Sequence, residues 1–163
     1  MKSKLRNQKG FTIIEVLIVL AIAGLILLIV FLAVPALQRN SRNTTARNEA
    51  ASVLGAANEF MSNNNGKAPA ASASGTAGSD AAKVWANVKA QQITSITIEA
   101  AGGTTIPTAT NAVLVVPGKC SNPTSTNDAT GRAGIVAAGT SRQIALIYLT
   151  ETGSGQQLSC TEG

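Results

Sequence analysis

The sequence predicts an α+β chain: a long N-terminal α-helix, membrane-spanning in its first half, packed against a small antiparallel β-sheet. Three observations carry that expectation. Residues 16–34 form a run of 19 without a polar side chain. Helical periodicity then resumes at Ala46, Ala50, Val53, Leu54, Ala57, Phe60 and Met61, the i, i+4, i+7 spacing of one buried stripe. After Gly66 the chain changes to short β-rich runs separated by Gly, Pro and Asn.

The first element is a basic stub, residues 1–10, with Lys2, Lys4, Arg6 and Lys9 and no acid. The apolar run that follows, extended back to Phe11, is interrupted only by Thr12 and Glu15. At about 1.5 Å per residue it crosses a hydrocarbon core of ~30 Å. The stub places the N-terminus in the cytoplasm by the positive-inside rule. Arg39, Arg42 and Arg47 on the far side oppose that orientation, but the stub is denser and adjoins the first apolar residue. Glu15 is the anomaly, because a lone carboxylate costs roughly 2.5–3.5 kcal/mol at mid-bilayer and less near the interface. It demands a partner or a purpose.

Pro35 closes the apolar run and is expected to kink the helix rather than end it. The amphipathic continuation buries the stripe named above and leaves Asn48, Glu49, Ser52 and Glu59 on the opposite face. Asn63-Asn64-Asn65-Gly66 is its stop. A helix that is apolar all round and then amphipathic fits one half in a membrane and one half on a domain of the same chain.

Residues 66–79 read as a small-residue loop with nothing to build a core. Ser79-Asp80 caps a short helix over 81–91 carrying Val84, Trp85 and Val88. Strands are expected at 93–99, 112–116 and 143–150, with shorter runs at 135–137 and 157–160. They make a sheet of three to five strands covering the amphipathic half of the helix. Gly102-Gly103 and Gly153-Ser154-Gly155 read as turns rather than ligand loops.

A formal charge of +5 invites a nucleic-acid reading, but the charge is unevenly placed. Without the stub, nine bases face eight acids, and from Met61 onward six face five. The chain has no histidine, which removes the commonest general base and metal ligand. No nucleophile adjoins a base, no phosphate-cradling glycine pattern opens a helix, and the acids are scattered. The sequence thus predicts no enzyme, no cofactor and no metal centre. Asn127-Asp128 offers too few oxygens for calcium. Phe11, Phe31 and Phe60 are too far apart to stack as a path for electrons. Arg39, Arg42 and Arg47 read as a solvated or subunit-bridging helix face rather than a site for DNA or anionic headgroups. Asn43-Thr44-Thr45 fits the glycosylation acceptor pattern formally but falls on a helix face.

Cys120 and Cys160 are the whole cysteine complement. They are too distant for a redox CxxC and too few for zinc. In an exported domain the default is a disulfide, contributing about 3–4 kcal/mol by loop closure. Two separate buried thiols are the alternative.

Lys9-Gly10-Phe11-Thr12-Ile13-Ile14-Glu15, followed by an apolar helix, resembles the N-terminal signature of type IV pilins and of the related pseudopilins of type II secretion. The resemblance covers about the first 35 residues. The order of long helix, small loop and β-sheet, with a late cysteine pair, is similar to a pilin in layout. Pro35 stands slightly later than the helix-breaking proline of many members.

The resemblance implies cleavage by a prepilin peptidase between Gly10 and Phe11 and N-methylation of the new Phe11 amine. It divides the chain into a leader (1–10), a transmembrane and filament-core helix (11–37), its amphipathic continuation (38–65) and a globular domain (66–163). Cleavage creates a positive amine beside the apolar zone. Glu15 is then expected to pair with the Phe11 amine of a neighbouring subunit, since an unpaired buried charge costs several kcal/mol. The implied partners are other copies of the chain, the peptidase, an assembly platform and the membrane, with no specific nucleic acid. An ordinary secretory signal peptide, with Ala21-Ile22-Ala23 as its cut site, is disfavoured by a run too long for an h-region that continues past that site. A plain signal anchor leaves Glu15 unexplained.

Overall fold

The computed structural model describes residues 10–121, 124–126 and 135–163. The basic stub ahead of Gly10, the Asn127-Asp128 pair and Arg132 lie outside the described residues. The chain divides into two units, residues 1–38 and 39–163.

α1 (Ile13–Asn63) is a single helix of 51 residues that includes Pro35. It ends through Asn65 and Gly66, which adopt φ of 56° and 77°. The Gly66 N–H donates to the Met61 carbonyl at 2.7 Å, the six-to-one closure of a Schellman-type stop. Gly66 suits the left-handed conformation and also admits the guanidinium of Arg142 close against its backbone.

In the second unit, α1 buries Ala46, Ala50, Val53, Leu54, Ala56, Ala57 and Met61. They pack on Ala81 and Val84 of α2 (Asp80–Trp85) and on one face of the main sheet. Among the described residues the main sheet has six strands, in the order β1-β2-β3-β7-β8-β5. These are β1 (Ser72–Ala73), β2 (Ser95–Glu99), β3 (Asn111–Val115), β5 (Thr124–Thr126), β7 (Ala145–Thr152) and β8 (Gly155–Glu162). β4 (Gly118–Cys120) and β6 (Val136–Ala138) pair separately as a two-stranded sheet.

Strand alternation divides the core in two. Ala112 and Leu114 of β3, with Leu146 and Tyr148 of β7 and the preceding Ile144, face the helix. Val113 and Val115, with Ala145 and Ile147, turn the other way and pack on Ile135, Leu158 and Cys160. A sheet covered on both faces explains why 112–116 and 144–148 read as unbroken apolar runs.

Three expectations about the sheet need correction. The sheet has six strands rather than three to five, and it is not wholly antiparallel: β2 and β3 run parallel, Ser95 opposite Asn111. The chain returns through residues 100–110, pinned where the Thr105 main-chain N–H and hydroxyl donate to the Glu99 carboxylate. The small-residue loop is not empty of structure, since Ser72 and Ala73 add an edge strand to β2.

The short helix stops at Trp85 rather than Gln91. Its start is capped by Ser79, whose Oγ accepts the Ala82 N–H at 3.1 Å. The end of the expected helical range is held from elsewhere. The main-chain N–H groups of Gln91, Gln92 and Ile93 all donate to the carboxylate of Glu49, at 2.7–3.1 Å. Those donors cannot also continue a helix. Glu49, expected on the solvent face, is instead 6% exposed.

Two arginines ahead of it reach their own unit, while Arg42 stays half-exposed. Arg42 pairs with Glu151 at 2.8 Å, and Arg39 reaches the Thr152 carbonyl. Asn43, the formal glycosylation acceptor, is occupied: its carboxamide exchanges two 2.7 Å bonds with the main chain of Glu151.

Candidate assembly site at the amino-terminal helix

The residues singled out by sequence lie at the start of α1. Gly10 and Phe11 precede the helix, which begins at Ile13. Phe11 is 90% exposed, and no atom would crowd a side chain at Gly10. The Gly10–Phe11 peptide is therefore open and non-helical, the condition in which a protease can draw a backbone into its cleft.

Thr12 and Glu15 form a capping box. One carboxylate oxygen of Glu15, Oε2, accepts the Thr12 main-chain N–H at 2.8 Å and the Thr12 hydroxyl at 2.7 Å. The Glu15 N–H returns a longer bond, 3.4 Å, to the Thr12 Oγ1. The Thr-x-x-Glu spacing at the head of an apolar run is the sequence form of this device. Thr12-Ile13-Ile14-Glu15 carries that spacing, so Glu15 has a partner within its own chain as well as the intermolecular one expected of it. Both strong bonds use Oε2. Oε1 is left open, and among the described residues Glu15 forms no ion pair.

Phe11, Glu15, Val16 and Val19 share one shallow depression on this face. From there to Leu37 the helix buries nothing within its own unit. Leu25, Leu28, Phe31 and Leu32 are each at least 60% exposed. The length and composition are those of a membrane span, and the most apolar window is wholly uncovered. A surface of this extent is stable only against lipid or another apolar partner.

Cys120 of β4 and Cys160 of β8 are joined as a disulfide, with Cα atoms 5.9 Å apart. The bond ties the small sheet to the main one. The Glu162 carboxylate accepts the Cys120 main-chain N–H beside it. Among the described residues, no cluster of three or more His, Cys, Asp or Glu is arranged to hold a metal ion.

The family model for the prokaryotic N-terminal methylation motif matches residues 5–31. The match covers the whole capping box, the Gly10–Phe11 junction and the first part of the exposed helix. This motif is the signature of type IV pilins and pseudopilins. Comparison with curated proteins and with solved structures finds no match. The chain thus joins a prepilin-type amino terminus to a pilin-like α+β layout. The motif implies processing by prepilin peptidase and filament assembly, and the apolar helix fits membrane anchoring before assembly.

Proposed function

We propose that this chain is a structural subunit of a type IV pilus-like filament, with no catalytic role. The observation that carries the reading is an uncovered apolar helix that begins with the methylation motif. Before assembly the helix anchors the protein in the membrane, with the stub cytoplasmic and the C-terminal domain outside. Prepilin peptidase cuts between Gly10 and Phe11, and the Phe11 amine is methylated. Extraction into an extracellular helical polymer then exchanges lipid for the helices of neighbouring subunits.

Glu15 supplies the register. Its Oε2 stays with Thr12, while Oε1 accepts the Phe11 amine of an adjacent subunit. In a dry core a subunit out of register leaves a carboxylate and an ammonium unpaired, at a cost of several kcal/mol each. Adhesion, motility or DNA uptake would follow at the level of the filament. Pseudopilins of type II secretion share the motif and are the second reading. The disulfide favours the pilin, because such a staple persists in the oxidising surroundings of an extracellular fibre.

The test is the Glu15→Ala variant in cells. Mass spectrometry should find its chain cut after Gly10, and electron microscopy should find no fibres. Normal fibres from that variant would defeat the charge-pair mechanism, and an intact Met1 on the wild-type chain would defeat the prepilin reading. In a strain lacking the chain, loss of surface fibres supports a pilus; loss of secreted enzymes with fibres retained supports the pseudopilin.

A further inference from the structure

One cleft in the globular unit has chemistry that a filament core does not use. It opens where α1, residues 91–92, residues 109–110 and the β7–β8 hairpin converge, and it encloses about 320 Å³. That volume lies in the range of small-ligand sites.

Both walls are locked. On one side Glu49 holds the main chain of Gln91 and Gln92. On the other, Asn43 holds the main chain of Glu151. A backbone fixed this way sets where the side chains of Gln91 and Gln92 depart, so the wall itself need not be ordered by a ligand.

The lining selects the ligand. Its two charged side chains, Arg42 and Glu151, pair with each other at 2.8 Å, so no net charge remains to hold an ion. Among the described residues no aromatic ring lines the cleft, which removes the stacking platform a nucleobase uses. What remains is neutral and polar. The carboxamides of Gln91, Gln92 and Gln156 and the hydroxyl of Thr110 have no hydrogen-bond partner among the described residues. Each carboxamide presents a donor and an acceptor side by side, the complement of two adjacent hydroxyl groups. Leu149 and Ala46 add apolar surface for the C–H face of a ring.

We propose that this cleft binds a neutral polyhydroxylated ligand, one uncharged sugar residue, through Gln91, Gln92, Gln156 and Thr110. The proposal is independent of the filament reading, since it concerns a different unit of the chain.

The test is titration of the full-length ¹⁵N-labelled chain in lipid nanodiscs with glucose, galactose and N-acetylglucosamine, and with the charged sugar sialic acid, followed by NMR. The expected result is saturable shifts for at least one sugar, confined to the amide signals of the four residues. Gln91→Ala and Gln156→Ala, both at exposed positions, should each weaken binding roughly three- to tenfold, the worth of one hydrogen bond. Signals elsewhere should not move, which shows that the variants keep the fold. The proposal is overturned by an absence of saturable shifts with all of these sugars. It is equally overturned by binding that both variants leave unchanged, or by saturation with sialic acid alone.

Discussion

The Glu49 carboxylate accepts the main-chain N–H of Ile93 at 2.8 Å, linking the middle of α1 to the approach of β2. The same side chain serves Gln91 and Gln92. One buried acid thus satisfies three consecutive donors that belong to neither a helix nor a strand. Glu49→Ala leaves all three without an acceptor and opens a gap in the core. The expected loss is about 2–4 kcal/mol. Glu49→Gln keeps one acceptor oxygen and should lose roughly half as much. Trp85 is the only tryptophan and packs against this core, so its emission during urea titration of the full chain in detergent reads the difference. Equal stability of Glu49→Ala and wild type would show that the latch contributes nothing.

The capping box gives the helix start its own test. Thr12→Val keeps the shape and removes the hydroxyl that Glu15 accepts. It should cost about 1 kcal/mol at the first turn, while Thr12→Ser costs little. Amide exchange of residues 13–16 in nanodiscs measures this fraying directly. Combined with Glu15→Gln, Thr12→Val should add less than it does alone, because the two side chains act as one unit.

Removing the disulfide should loosen the far end of the sheet. The bond closes a separation of 40 residues, for which loop entropy predicts about 4 kcal/mol. The Cys120→Ser, Cys160→Ser chain should melt at lower temperature than wild type, and dithiothreitol should reproduce the shift in wild type alone. A reductant effect of the same size in the double variant would assign the loss to something other than this bond.

Asp80 sets a pH dependence. The N–H of Ala70, and then the Lys83 ammonium, hold its carboxyl below the ordinary aspartate range. A carboxyl depressed in the folded state adds stability that is present above its unfolded value of about 3.9 and is lost as pH falls through the lower folded value. Acid should therefore destabilise wild type more than Asp80→Asn below about pH 4. Because the group sits near the surface, the difference should be small and should shrink in high salt. Parallel acid titrations of the two proteins by circular dichroism check the sign.

The amino-terminal device was legible because its parts are adjacent in the chain. Gly10, Phe11, Thr12 and Glu15 lie within six residues, and apolar length is a one-dimensional property. The buried stripe of α1 was legible for the same reason, since helical period fixes which side chains share a face. Glu49 was misplaced by that logic. It lies beside the buried stripe, and nothing in the local pattern shows that main-chain donors 42 to 44 residues away need an acceptor. The parallel β2–β3 pair was missed because strand direction depends on how residues 100–110 cross the sheet, and composition does not encode a crossing.

By itself, then, the sequence determined where the long apolar helix begins, where the methylation motif lies and which apolar side chains of α1 face the core. Those follow from local propensity and periodicity. Only the tertiary structure decided the strand order and how the buried carboxylate of Glu49 is satisfied. It also decided how Arg42, Asn43 and Glu151 meet from opposite ends of the globular unit. Those depend on contacts about a hundred residues apart, where the closure of the chain, rather than any local preference, selects the partner.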